Sequence, residues 1–150
     1  MRVERPWGWY ETLTQGKNYL VKRLLLRAGQ QLSLQRHRHR SESWTVVAGT
    51  GALLCGEQWH SAGTGVMLSI PCGAVHRARA DDSDLLILEV QHGEDLREDD
   101  IERLQDDYGR VINYSSTFEA GNTTRAQLFW LQGGCEPDFR DQSGQATFYD

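Results

Sequence analysis

Four residues in two short stretches could hold a metal ion: Gln35, His37 and Glu42 in the first and His76 in the second. They offer two imidazole nitrogens, one carboxylate and one amide oxygen. Such a set suits Zn2+, Fe2+, Mn2+, Ni2+ or Co2+. Side chains on a strand alternate between faces, so Gln35 and His37 share one. Glu42 follows after a short connection that can turn it back toward them. Pro71-Cys72-Gly73 is a turn signal that delivers His76 on the next strand. The four bring at most one formal negative charge, so a divalent ion among them stays net cationic and Lewis-acidic. Taken one at a time, each reads as an ordinary polar residue, and His37-Arg38-His39 as a solvated basic loop. The spacing of the whole set changes that reading.

Strands must position these groups. Short candidate strands cover residues 9–13, 19–27, 31–37, 43–48, 52–55, 66–70, 76–80 and 85–91, with glycines between them or at their edges. Many short strands at close spacing predict an all-β sandwich or barrel. Leu85-Leu86-Ile87-Leu88 is apolar on both parities, so that strand should be covered on both faces. Residues 98–108 read as one short amphipathic helix. Asp99 or Asp100 caps it, Ile101, Leu104 and Tyr108 line one side, and Gly109 ends it. Beyond it, 113–124 reads as loop, 126–131 as a mostly apolar patch of strand or helix, and 133–150 as a polar tail.

The whole chain has 150 residues, 39% hydrophobic and 25% charged, with a net charge of −5. That length suits one domain, and the acidic balance argues against nucleic acid as a partner. Three cysteines, Cys55, Cys72 and Cys135, make neither a disulfide framework nor a zinc ribbon. No run is long enough to span a membrane. The opening residues hold no apolar signal core, so a cytoplasmic protein is expected.

The spacing Gly29-x5-Gln35-x-His37-x4-Glu42-x6-Gly49 resembles the first cupin motif, with Gln35 in the usual first His position. Gly65-x5-Pro71-x-Gly73-x2-His76 resembles the second, with Ala80 where the motif ends in Asn. The resemblance implies a cupin double-stranded β-helix, a jelly-roll barrel with the short helix packed on it. Several further stretches narrow it. Arg5-Pro6-Trp7-Gly8-Trp9-Tyr10, His39-Arg40-x-Glu42-x-Trp44, Glu89-Val90-Gln91 and Asp106-Asp107-Tyr108-Gly109-Arg110 are among them. They resemble the type II mannose-6-phosphate isomerase domain, usually the C-terminal part of mannose-1-phosphate guanylyltransferases. The match spans 5–110, which divides the chain into an isomerase-like domain, 1–110, and an extension, 111–150. The resemblance departs at Arg36, Arg38 and Ser43, where the family often has Met, His and His.

The resemblance implies interconversion of mannose 6-phosphate and fructose 6-phosphate at one divalent metal, with zinc first in line. A base must move a proton between C1 and C2, and Glu89 or His39 could do so. Cations for the phosphate could come from Lys22, Arg40 and Arg110. Lys22 shares parity with Leu20, Leu24 and Leu26. It is either an inward lysine that needs a partner or a snorkelling surface residue. Arg36 and Arg38 should point away from the metal, with Leu32 and Leu34 on that same outer face. Those leucines and Phe129-Trp130-Leu131 would need cover, so a homodimer is expected. Two other readings stay open. One is a non-catalytic cupin that binds a sugar or nucleotide sugar, alone or as the partner of a separate nucleotidyltransferase. The other is an oxidative cupin that uses Fe2+.

Overall fold

The computed structural model describes residues 1–110. They form eleven strands: β1 Arg2–Arg5, β2 Gly8–Gln15, β3 Tyr19–Leu26, β4 Leu34–Arg36, β5 Ser41–Ala48, β6 Gly51–Cys55, β7 Gln58–Ala62, β8 Met67–Ile70, β9 His76–Ala80, β10 Leu85–His92 and β11 Glu102–Gln105. One sheet runs β1-β2-β3-β10-β5-β8 and the other β11-β4-β9-β6-β7. Every pairing is antiparallel. The all-β expectation holds.

Three strands of the larger sheet share one design. Along β3, Leu26 and Leu24 are buried and Lys22 follows on the same face. Along β5 the inner face reads Val46, Trp44, Glu42, and along β10 it reads Leu85, Ile87, Glu89, Gln91. The inner surface therefore passes from apolar at one end to polar at the other. The apolar end meets Leu53, Ala62, Ala78 and Ala80 of the smaller sheet to form the core. Burial of each large side chain there stabilises the fold by about 1.5–3 kcal/mol. The polar end is left for chemistry.

Two turns fix the frame. Gly49 has φ 88°, and a Cβ there would lie 2.0 Å from the Asp84 carbonyl oxygen. Gly73 has φ 79°, a left-handed conformation that glycine adopts without penalty. Its N–H donates to the His37 carbonyl at 2.8 Å, so the turn before β9 is tied directly to one candidate ligand.

The helix expected over 98–108 does not form, and Glu102–Gln105 instead adds β11 to the edge of the smaller sheet beside β4. Ile101 is half-buried and Leu104 is exposed, so the three apolar residues do not share a buried stripe. Backbone pairing of β11 with β4 and ion pairs from Glu102 to Arg36 and Arg38 hold the segment extended. Tyr108 Oη lies 2.9 Å from both Gln31 O and Gln30 Oε1.

A second correction concerns Leu32. It is buried in the core, because the chain is not a regular strand from 31 to 33 and the alternation breaks there. Arg36 and Arg38 do point outward, to Glu102. Leu86 and Leu88 are half-buried on the outer face of β10, while Leu85 and Ile87 are fully buried on the inner one. The expectations for 113–124, 126–131 and 133–150, and for Cys135 and Phe129-Trp130-Leu131, fall outside the described residues.

Candidate metal centre

Three of the four expected ligands converge. Donor atoms of His37, Glu42 and His76 all lie within 4.8 Å of one another, and all three residues are buried. His76 sits on β9, directly opposite Gln35 on β4. His37 follows β4 by one residue, and Glu42 enters from β5 in the other sheet. His37 Nε2 is 3.1 Å from Glu42 Oε1, and His76 Nε2 is 3.5 Å from Oε2.

The imidazole tautomers follow from the partners of Nδ1. His76 Nδ1 faces Ala74 O at 2.9 Å, and His37 Nδ1 faces Asp100 O. Carbonyls only accept, so both Nδ1 atoms donate, and each ring turns its Nε2 toward Glu42. His76 Nε2 is buried without a hydrogen-bond partner. A buried imidazole nitrogen left bare beside a carboxylate and a second imidazole fits a divalent cation. Burial pushes the Glu42 carboxyl upward, but the two histidines at its oxygens outweigh this and hold it well below the usual range. It is therefore ionised and able to bind a cation. Gln35 lines the adjoining pocket, and its Oε1 accepts a hydrogen bond from Ser33 Oγ at 2.8 Å.

The pocket opens beside this cluster, against the polar ends of β3, β5 and β10. Glu89 lies in its wall, 5% exposed, between Lys22 on β3 and Trp44 on β5. Trp44 Nε1 donates to Glu89 Oε2 at 3.0 Å and faces Glu42 Oε2 at 3.2 Å. Gln91 Nε2 donates to Glu89 Oε1 at 2.7 Å. Burial first, and the Glu42 charge second, push the Glu89 carboxyl up to about 7, against the opposing pull of Lys22 and Arg40.

The other expected residues divide. Lys22 does face inward, 5% exposed, paired with Glu98 and lying over the Tyr10 ring. Arg110 lines the pocket and is engaged by Asp106. Arg40 also lines it, yet its hydrogen bonds run toward Glu42, His37 and the carbonyls of Arg97 and Asp100. Those bonds make it a positioning residue for the ligands, not a free cation for phosphate. His39 is exposed and lines a separate surface depression with Arg38 and Arg97, so it is not brought to the pocket.

Asp100 is a residue whose role the sequence reading missed. Its carboxylate accepts the Arg38 and His39 backbone N–H groups at 2.9 and 3.1 Å, and its carbonyl holds His37 and Arg40. By sequence, Asp99 or Asp100 is a helix cap. Asp100 does cap a turn, but the turn of another segment. Gln91 could have been found by extending the parity of Glu89 by one residue pair. Arg103, also in the pocket wall, was hidden by the helical reading of its segment.

Residues 1–106 match the profile of the family described as "Mannose-6-phosphate isomerase C-terminal". The chain is 43% identical over 126 residues to "Alginate biosynthesis protein AlgA" of Pseudomonas syringae pv. tomato, covering 83% of this chain and 25% of that protein. It is 41% identical over 110 residues to "Mannose-1-phosphate guanylyltransferase ManC" of Salmonella typhimurium, covering 73% and 23%. The chain thus spans about a quarter of the length of these curated relatives. Among solved structures it resembles a cupin-2 domain, Rru_A2000 of Rhodospirillum rubrum. The TM-score is 0.57 at 19% identity, over 63% of this chain and 64% of that one. It also resembles the capsular polysaccharide assembling protein CapF of Staphylococcus aureus. There the TM-score is 0.61 at 15% identity, over 71% and 34%. These likenesses establish the cupin fold.

Proposed function

Because the chain belongs to the mannose-6-phosphate isomerase C-terminal family, we propose that it is a metal-dependent aldose–ketose isomerase acting on mannose 6-phosphate and fructose 6-phosphate. The observation that carries the reading is the pairing of a His37–Glu42–His76 cluster with a buried carboxyl, Glu89, poised near neutral pH in the same pocket.

A divalent cation held by His37, Glu42, His76 and Gln35 would supply Lewis-acid polarisation of the C1 and C2 oxygens. The chain's own groups do the rest. Glu89 can take a proton from one carbon and return it to the other, because a base near pH 7 is populated in both forms. Trp44 and Gln91 hold each of its oxygens, so the carboxylate has one orientation. Lys22 opposes the negative charge that develops beside Glu89. Arg40 keeps Glu42 aimed at the cluster.

The test is a coupled isomerase assay on purified protein loaded with Zn2+. We expect turnover of mannose 6-phosphate, and a drop of about 10²–10⁴-fold in kcat on Glu89→Gln with metal content unchanged. Full metal loading without turnover rejects the isomerase and leaves a sugar- or nucleotide-sugar-binding role, alone or beside a separate nucleotidyltransferase. Oxygen consumption by the Fe2+-loaded protein would put oxidative chemistry in its place.

A further inference from the structure

Among the described residues, three buried side-chain atoms lack any hydrogen-bond partner: His76 Nε2, Gln91 Oε1 and Arg103 Nε. Gln91 and Arg103 line the pocket, and His76 adjoins Glu42, which also lines it. An unmade hydrogen bond on a buried group costs about 1–3 kcal/mol. Three such atoms around one pocket outline a ligand with a metal-seeking end, a hydroxyl donor in the middle and an anion at the other end.

The register of the smaller sheet fixes where the anion end lies. Arg103 on β11 is opposite Gln35 on β4, and Gln35 is opposite His76 on β9. Opposed residues of antiparallel strands share a face. Arg103, Gln35 and His76 therefore form one row, and two strand spacings put its ends roughly 10 Å apart. That separation is comparable to the length of a hexose phosphate from its carbonyl end to its phosphate. The Arg103 end is also the cationic end. Arg5 and Arg110 line the same pocket, and Asp106 answers Arg110. Burial, then the Arg110 charge, lower the Arg103 guanidinium from its ordinary value, against the pull of Asp106.

We propose that Arg103, flanked by Arg5 and Arg110, anchors the phosphate of a sugar phosphate whose carbonyl end lies toward His37, Glu42 and His76. The identity of the sugar rests on the isomerase reading; the anion anchor does not. A guanidinium presents a planar fork to phosphate, whereas the lysine ammonium is a point charge. Lys22 is already paired with Glu98, and Arg40 is turned to the ligand carboxylate, so neither duplicates this role.

The experiment is calorimetric titration of the Zn2+-loaded full chain with mannose 6-phosphate, mannose and inorganic phosphate, alongside steady-state kinetics. Arg103→Met should weaken mannose 6-phosphate about 10–100-fold and inorganic phosphate with it. Mannose affinity, where measurable, and zinc content should not move. Arg103→Lys should fall between, since it keeps the charge and loses the fork. Arg5→Gln changes an exposed side chain and should cost a smaller factor on the phosphorylated ligands alone. If Arg103→Met does not fold, Arg103→Lys and Arg5→Gln decide: unchanged affinity for the phosphorylated ligands in both overturns the anchor. Equal losses for mannose and mannose 6-phosphate in Arg103→Met overturn it too. Arg103-dependent phosphosugar binding without turnover sinks the isomerase and keeps the anchor. Turnover with an unaltered KM in Arg103→Met keeps the isomerase and sinks the anchor.

Discussion

Truncation of Asp100 to alanine removes the acceptor of two backbone N–H groups, those of Arg38 and His39. Each is a hydrogen bond to a charged acceptor that is itself buried, a class worth about 1.5–3 kcal/mol. Arg38 and His39 are exposed, so water replaces part of what is lost. The expected destabilisation is about 2–4 kcal/mol, which leaves a domain of ordinary stability folded. The second effect falls on the ligands. The Asp100 carbonyl orients His37 through Nδ1 and also receives Arg40, and without the carboxylate the 37–40 turn no longer fixes that carbonyl. Metal affinity should fall about 10–100-fold, the usual consequence of losing a group that orients a ligand. Urea denaturation of the metal-free protein gives the first number, and chelator competition for Zn2+ gives the second. Asp100→Asn keeps one acceptor oxygen and sets an amide against the other N–H, so it should lie between the two. An Asp100→Ala protein that binds zinc as tightly as the unmodified one would refute the reasoning, whatever its stability.

Three further outcomes can be checked. In the metal-free protein, Glu89 is raised from 4.5 to about 7, so the folded state keeps a proton that the unfolded chain has released. Stability should therefore fall as pH rises from about 4.5 through about 7, by at most about 3 kcal/mol, and Glu89→Gln should flatten that part of the curve in thermal melts. Glu42 acts in the opposite sense: its depressed carboxyl stabilises above its ordinary value, and that contribution is lost in acid. His37→Ala should release most bound metal while keeping a cooperative thermal transition, because the apolar core lies at the other end of the strands; loss of the transition would contradict this. For the proposed homodimer, Leu32 no longer argues, but Val47 and Met67 remain exposed on β5 and β8; a clean monomer in light scattering rejects it.

The readable part of this fold is local in origin. The shared parity of Leu20, Leu24 and Leu26 and the glycine-bearing turns place β3, because a strand with one buried face repeats every second residue, and the apolar run Leu85-Leu86-Ile87-Leu88 places β10. The metal cluster was legible because His37, Glu42 and His76 are a few residues from turns that set their direction. The polar edge strand β7 lacks that alternation and was not seen. The segment 98–110 was misread for a different reason. Ile101, Leu104 and Tyr108 sit at helical spacing, yet the partners that decide its shape are Arg36, Arg38 and Gln31, more than 60 residues away. Local periodicity carries no information about such partners. The functions of Asp100 and Arg103 were hidden for the same reason.

The candidate ligands come from both layers of the sandwich: Gln35, His37 and His76 belong to the side of β4 and β9, and Glu42 to β5. Neither sheet can complete the set alone. An ion held by the whole set would bridge the two sheets and act as a clasp across the seam between them. By mass action, free metal at a hundred times its dissociation constant would add about 2.7 kcal/mol to the docked state. Chelation would then loosen the seam itself, and the melting temperature would report the free metal concentration around the protein.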